Sequence, residues 1–115
     1  MATKDEVERF LLNFKEKVKI YNIVYREDRE KNVQILAELD ITPRYRTDVI
    51  MKLKVKDYSE GPIPDTLNHL SDMWVFGKDV KGREVYIKIT LGNENGQTIC
   101  ISFHIAEYPL EYPFK

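Results

Sequence analysis

Residues 74–105, WVFGKDVKGREVYIKITLGNENGQTICISFHI, decide the fold class of this chain. Runs rich in β-branched and aromatic residues are separated by glycine-containing segments at 79–83 and 92–97, a pattern typical of strands joined by tight turns. The stretch predicts three strands, at about 74–78, 84–91 and 98–105, arranged as an antiparallel meander.

Side chains alternate between the two faces of a strand, so the last two strands each predict one apolar and one polar face. The apolar face is predicted to carry Val85, Ile87, Ile89, Leu91, Ile99, Ile101, Phe103 and Ile105. The opposite face is predicted to carry Tyr86, Lys88, Thr90, Cys100, Ser102 and His104. A phenol, an ammonium, hydroxyls and an imidazole on one surface can do acid–base chemistry, so this polar face is the candidate site.

Upstream, the pattern is helical. Thr3 and Glu6 have the spacing of a capping box, and an apolar stripe follows at Val7, Phe10, Leu11, Phe14 and Val18. A short strand is predicted at 20–25. A second helix is predicted from Asp28 to about Leu39, with Val33, Leu36 and Ala37 inward.

Thr42 followed by Pro43 predicts the start of a third helix, with an inner face of Tyr45, Val49, Ile50 and Leu53. Residues 54–72 are rich in turn formers and predict an irregular loop. Residues 106–115 hold two prolines and predict an extended tail packed by its aromatic side chains. The chain is expected to be a single α+β domain over residues 1–115, in which N-terminal helices pack on the sheet.

Composition restricts the class of protein. The chain has 115 residues, 43% hydrophobic and 32% charged, as is usual for a globular protein. A single cysteine allows no internal disulfide, and neither a signal peptide nor an apolar run of membrane-spanning length occurs. We therefore expect a cytoplasmic protein without a membrane partner. The net charge of −1 counts against a strongly basic nucleic-acid binder.

Several common site signatures are absent from the sequence. Neither Gly-x-Gly-x-x-Gly nor Gly-x-x-x-x-Gly-Lys-Ser/Thr occurs, so a nucleotide cradle of those types is not indicated. Two histidines and one cysteine are too few for an ordinary zinc site. The sequence predicts no metal site and no cofactor, which leaves acid–base chemistry by side chains, or binding alone.

The segments 74–78, 81–89 and 101–104, together with the order of the predicted elements over about residues 5–105, resemble the MqsR family of toxins from type II toxin–antitoxin systems. The resemblance implies a RelE-like α+β fold, with the meander and the short N-terminal strand in one sheet. It also implies an endoribonuclease (an mRNA interferase) that cuts mRNA without a metal ion, and a cognate antitoxin protein as partner.

The family's site uses a lysine, a glutamine and a tyrosine, and Tyr86 occupies the tyrosine position. The lysine position falls near residues 57–59 and the glutamine position near residues 72–73, where this chain has neither. The resemblance therefore implies a rebuilt site. For such a site we predict Tyr86, Lys88 and His104 as catalytic residues.

Metal-free RNA cleavage needs a base for the 2′-hydroxyl, a cation for the phosphate and an acid for the leaving 5′-oxygen. His104 suits the base or the acid, Lys88 the cation, and Tyr86 a hydrogen bond or base stacking. Lys78, Lys81 and Arg83, around the first hairpin turn, are the predicted RNA-binding cluster. The alternative is a non-catalytic protein- or RNA-binding module of the same fold. The sequence leaves the cleavage sequence and the oligomeric state open.

Overall fold

The computed structural model describes residues 1–27 and 30–115 and contains three α-helices, a 3₁₀ turn and five strands. The helical elements are α1 (Lys4–Tyr21), α2 (Glu30–Glu38), α3 (Pro43–Met51) and the 3₁₀ turn at Val55–Asp57. The strands are β1 (Ile23–Tyr25), β2 (Tyr58–Ile63), β3 (Met73–Val80), β4 (Arg83–Thr90) and β5 (Thr98–Ile105). The fold is therefore α+β. None of the helices in the described ranges is long and apolar enough to cross a membrane.

The five strands form one sheet in the order β1-β5-β4-β3-β2. The predicted meander of β3, β4 and β5 is confirmed, since both of its pairings are antiparallel. The prediction of an antiparallel sheet is wrong at one edge, where β1 runs parallel to β5 and makes the sheet mixed. After β1 the chain passes through α2 and α3 to β2, at the opposite edge of the sheet. Since β1 and β5 are not joined by a hairpin, they are free to run in the same direction.

An additional edge strand, β2, occupies part of the segment predicted to be an irregular loop. Tyr58 is fully buried and pairs with Phe76 of β3, and this burial holds the segment against the sheet. The turn formers Gly61 and Pro62 are tolerated because an edge strand leaves one side of its backbone unpaired. The loop prediction was wrong for residues 58–63.

Helix α1 covers one face of the sheet, and its sequence pattern is confirmed. Its five buried residues are the predicted stripe of Val7, Phe10, Leu11, Phe14 and Val18. The Thr3–Glu6 capping box is present. Phe10 stacks on Trp74 at 4.6 Å between ring centroids, which ties the helix to β3. The helix continues to Tyr21, so the strand predicted at 20–25 is only Ile23–Tyr25.

The inner faces predicted for α2 and α3 are partly wrong. In α2 the buried residues are Asn32 and Ile35, whereas Val33 is exposed. In α3 they are Arg46 and Ile50, whereas Tyr45 is exposed. In each helix a buried polar side chain has partners in the protein. Asn32 bonds to the backbone of β5, and Arg46 forms an ion pair with Glu27. The predicted start of α2 at Asp28 lies outside the described residues.

A β-bulge in β5 changes the predicted faces of that strand. Lys88 pairs with Ser102, but the next residue, Ile89, pairs with Cys100, so Ile101 is the extra residue. Because of the bulge, Cys100 moves to the apolar face and joins the core. The prediction that Cys100 lies on the polar face was wrong.

Candidate functional site

The face of the sheet opposite α1 carries the candidate site, and the strand register places its side chains in two rows. The first row is Gly77, Tyr86 and His104, which are direct cross-strand partners on β3, β4 and β5. The second row crosses four strands and consists of Glu60, Val75, Lys88 and Ser102. Direct cross-strand partners lie close enough to interact. The predicted sharing of a face by Tyr86, Lys88 and His104 is therefore confirmed.

Tyr86 and His104 are in contact. Their rings stack with centroids 5.1 Å apart and planes 10° apart. The Lys88 ammonium lies 6.0 Å from the centre of the Tyr86 ring, at the outer limit of a cation–π contact. The imidazole of His104 and the ammonium of Lys88 thus both lie beside the ring of Tyr86.

The imidazole of His104 has one nitrogen committed to the backbone. Its Nδ1 lies 3.0 Å from the carbonyl oxygen of Ile105. When Nδ1 carries the proton it donates to that carbonyl, and Nε2 is left with a lone pair. This arrangement favours the tautomer in which Nε2 accepts a proton, as a general base must.

The two rows form the floor of a cavity of about 660 Å³, called here the polar groove. One wall is the start of α2, from Glu30 to Asn32. The other wall is the C-terminal tail, with Glu107, Tyr108 and Leu110. The remaining lining residues are Glu60, Tyr86, Lys88, Ser102 and His104. The groove is large enough for a nucleotide-sized ligand.

Asn32 is a part of this site that the sequence analysis missed. Its side chain donates to the Ile101 carbonyl at 2.9 Å and accepts from the Phe103 amide at 2.9 Å. It also donates to the carbonyl of Arg26 at 3.0 Å. The carboxamide thus makes the hydrogen bonds to Ile101 and Phe103 that a neighbouring strand would otherwise make, at a point where β1 has already ended. It fixes the backbone that presents Ser102 and His104 to the polar groove.

The tail is fastened across β3 by Glu84. The carboxylate accepts from the Leu110 amide at 3.1 Å and from the Tyr112 hydroxyl at 2.6 Å. Gly77 makes room for both residues, because a Cβ there would overlap the Tyr112 hydroxyl and lie 2.6 Å from Leu110 Cδ1. Burial, and then the hydrogen bond to Glu84, raises the pKa of Tyr112. The phenol therefore keeps its proton and remains a donor to Glu84.

Carboxylates also line the polar groove. Glu107 forms an ion pair with Lys31, and the hydrogen bond and charge of Lys31 lower the pKa of Glu107. Glu30 accepts a hydrogen bond from Gln34 at 2.9 Å. Glu60 stands at the β2 end of the second row. Glu107 and Glu30 are thus engaged within the protein, and Glu60 shares the second row with Lys88, two strands away.

The predicted RNA-binding cluster is not brought into the polar groove. Lys78 forms an ion pair with Asp57 at 3.3 Å. Lys81 donates to the Asp40 carbonyl at 2.9 Å, and Arg83 is exposed at the start of β4. Lys78 is the cross-strand partner of the core residue Val85, and Arg83 lies two positions before Val85 in β4. Both therefore belong to the face of the sheet opposite the polar rows. The three cations therefore surround the hairpin turn instead of lining the groove.

The described ranges 1–27 and 30–115 contain no group of three or more His, Cys, Asp or Glu side chains arranged to hold a metal ion. Comparison with known proteins gives no family assignment. No protein-family model, no curated protein sequence and no solved structure matches this chain. The geometry of the polar groove is therefore the basis for a functional proposal.

Proposed function

We propose that the protein is a metal-independent endoribonuclease that cuts mRNA in the polar groove, and that it is the toxin of a toxin–antitoxin pair with a RelE-like fold. The observation that carries the proposal is the stacked pair of Tyr86 and His104 beside Lys88 on one groove floor. These three side chains supply the base, the hydrogen-bond donor and the cation that the reaction needs. The resemblance of the sequence to MqsR-family toxins supports the choice of RNA as substrate and of an antitoxin as partner.

In the proposed reaction, His104 Nε2 takes the proton from the ribose 2′-hydroxyl as the 2′-oxygen attacks the adjacent phosphorus. The bond from phosphorus to the 5′-oxygen breaks, and Tyr86 donates the proton that this leaving oxygen acquires. The Lys88 ammonium neutralises charge that develops on the phosphate oxygens. The products are a 2′,3′-cyclic phosphate and a 5′-hydroxyl, and proton exchange with water restores both side chains.

A second function is favoured by the charges around the groove. Among the residues that the structure describes, its lining has three carboxylates, Glu30, Glu60 and Glu107, and two lysines, Lys31 and Lys88. RNA affinity depends strongly on phosphate neutralisation by cations, and the predicted basic cluster lies elsewhere. The alternative is a non-catalytic binding module of the same fold, which recognises a protein or RNA partner through the groove without cutting it.

The test is incubation of the purified protein with a long mRNA, in the presence of a chelator, and mapping of the cut ends. His104→Asn and Tyr86→Phe are expected to abolish discrete cuts. Matched controls exist on the same chain: His69→Asn in an exposed loop and Tyr45→Phe on α3 alter the same residue types away from the groove. Both controls are expected to cut like the wild type.

Equal cutting by all four variants and the wild type would show a contaminating nuclease or a site elsewhere. Absence of cutting by the wild type, with and without translating ribosomes, would exclude the nuclease and favour the binding module. Binding of uncut RNA or of a protein partner that is weakened by Tyr86→Phe would then place the recognition surface in the polar groove.

A further inference from the structure

A second groove lies on the helix side of the sheet, between α1 and the 3₁₀ turn. It has a volume of about 510 Å³ and is called here the lysine groove. Its apolar lining is Leu11, Leu12, Leu53, Val55 and Phe114, and its charged lining is Lys4, Glu8, Lys15, Lys54 and Lys56. None of these residues lines the polar groove, so the function proposed above leaves this surface unexplained.

The floor of the lysine groove is built into the fold. Leu11 and Leu53 are buried, at 4% and 0% exposure, and continue into the core. Phe114 stacks on the buried ring of Tyr58, with centroids 5.4 Å apart. Leu12, by contrast, is 61% exposed at the edge of the groove. An exposed leucine beside a preformed apolar floor gives a partner an apolar surface to bury.

The rim of the groove is positively charged although the chain has a net charge of −1. In the part of the chain that the structure describes, four lysines and one glutamate line it. Lys15 is held in place by donating to the Leu53 carbonyl at 2.7 Å. Burial, and then the charge of Lys54, lowers the pKa of Lys15. Lys15 and Lys54 therefore repel each other, and carboxylates of a partner would relieve that repulsion.

We propose that the lysine groove binds an acidic amphipathic helix of another protein. The groove residues of α1 run from Lys4 to Lys15, about 16 Å along the helix axis. A helix lying alongside would insert apolar side chains at i, i+3, i+4 and i+7 over Leu11, Leu12 and Phe114. Aspartates and glutamates flanking those anchors would face the lysines.

The apolar floor favours a protein helix over RNA as the occupant. Single-stranded RNA is held by cations along its backbone together with aromatic rings on which bases stack. Here the lining is mostly aliphatic, and the one ring among its described residues, Phe114, already stacks on Tyr58. A helix with leucines between carboxylates complements both the floor and the rim.

The test uses a fluorescein-labelled peptide of about 16 residues, with leucines at i, i+3, i+4 and i+7 and glutamates on both flanks. Fluorescence anisotropy is measured against the full-length protein. Two further probes are the same peptide with lysines in place of the glutamates, and a single-stranded RNA of similar length. Only the acidic peptide is expected to bind, with an affinity that falls as salt rises.

The variants are Leu12→Asp and the double charge reversal Lys54→Glu with Lys56→Glu, all at exposed positions. Each is expected to weaken peptide binding at least about tenfold. Ile20→Asp and Lys19→Glu are matched controls, because both residues are exposed on α1 but outside the groove. The controls are expected to bind like the wild type, and RNA cutting is expected to be unchanged in every variant.

Four results would overturn the proposal. One is no binding of the acidic peptide, and another is equal binding by the groove variants and the controls. The third is binding of the RNA probe that is lost in the charge-reversal variant, which would make the groove an RNA track. The fourth is wild-type self-association that Leu12→Asp removes, which would make the occupant a second copy of this chain.

Discussion

His104 and Tyr86 form a stacked cross-strand pair, with ring centroids 5.1 Å apart. Each ring limits the rotamers of the other, so the register of β4 and β5 fixes the position of the imidazole. His104 contributes a ring that stacks on Tyr86 and, in the proposed reaction, a nitrogen that accepts a proton. A substitution that keeps one and removes the other separates them.

His104→Phe is expected to keep the stack with Tyr86 and to remove the base. We expect RNA cleavage to fall by about 10²–10⁴-fold, the usual contribution of a general base. RNA affinity and the melting temperature are expected to change little, because a flat ring still covers Tyr86. Cleavage rates under single-turnover conditions, with affinity measured at a matched salt concentration, test this. A variant that cuts as fast as the wild type would remove His104 from the mechanism.

Gly77→Ala is expected to release the tail from the sheet. A Cβ at this position overlaps the Tyr112 hydroxyl and crowds Leu110 Cδ1, so both side chains must shift and the bond from Tyr112 to Glu84 is strained or lost. Overpacking of this kind usually costs about 1–3 kcal/mol in the free energy of unfolding, which urea denaturation measures.

Gly96→Ala is the matched control, since a Cβ there meets only ordinary van der Waals contact with Asn93 at 3.5 Å. If the clash with the tail is the cause, Gly77→Ala costs less in a Tyr112→Ala background, because the two changes share one contact. Strict additivity of the two costs would contradict this explanation.

The sequence predicts local patterns of this fold well. The stripe of α1 and the meander of β3–β5 follow from periodicities of 3.6 and 2, which the local sequence carries in full. The strand β2 does not follow from such a periodicity. It contains turn-forming residues, and it is held in the sheet mainly by the burial of Tyr58 against residues far along the chain. The parallel pairing of β1 with β5 is likewise a tertiary contact.

The candidate site divides in the same way. Alternation places Tyr86, Lys88 and His104 on the polar faces of β4 and β5, and these faces coincide because the two strands pair as neighbours. Asn32 was missed because its partners are backbone groups about 70 residues later in the chain. Its only local signal is a polar residue one position before the predicted inner face of α2. The bulge at Ile101 is equally invisible, since β-branched and aromatic residues continue through it.

Asn32→Ala is expected to destabilise the protein by several kcal/mol. The change leaves the Ile101 carbonyl and the Phe103 amide without their side-chain partner, and each buried group left unsatisfied costs about 1–3 kcal/mol. Gln34→Ala, on the exposed face of the same helix, is the control and is expected to change stability by less than about 1 kcal/mol.

Asn32→Asp refines this prediction. An ionised aspartate still accepts from the Phe103 amide but faces the Ile101 carbonyl without a proton to donate. The variant's loss of unfolding free energy relative to the wild type, its deficit, is therefore expected to shrink as the pH falls and the carboxyl regains a proton. A protonated carboxyl donates a hydrogen bond as the amide does. Urea denaturation at neutral pH and near pH 4 measures this, and a deficit that is the same at both pH values would contradict the assigned bonds.

The buried thiol of Cys100 is expected to make the folded protein less stable in alkali. Complete burial in the core raises the pKa of its thiol from the ordinary 9.0 to about 12. The folded protein therefore keeps the thiol proton in a range where the unfolded chain loses it. The stabilising contribution of the neutral thiol is complete below about pH 9 and is lost progressively as the pH rises through 12.

Cys100→Ala removes this titration from both states. The wild type is expected to lose about 1 kcal/mol more unfolding free energy than the variant between pH 8 and pH 10. The variant also loses core packing, but that cost is the same at both pH values and cancels in the comparison. Tyr112, whose pKa burial also raises, destabilises both proteins alike in alkali. The pKa of Tyr25 is raised by burial and also by the charge of Cys100, so part of the Tyr25 effect disappears in the variant and adds to the expected difference. Parallel pH profiles for the two proteins would mean that the Cys100 thiol is accessible to water in the folded state, and that the bulge in β5 does not hold it in the core.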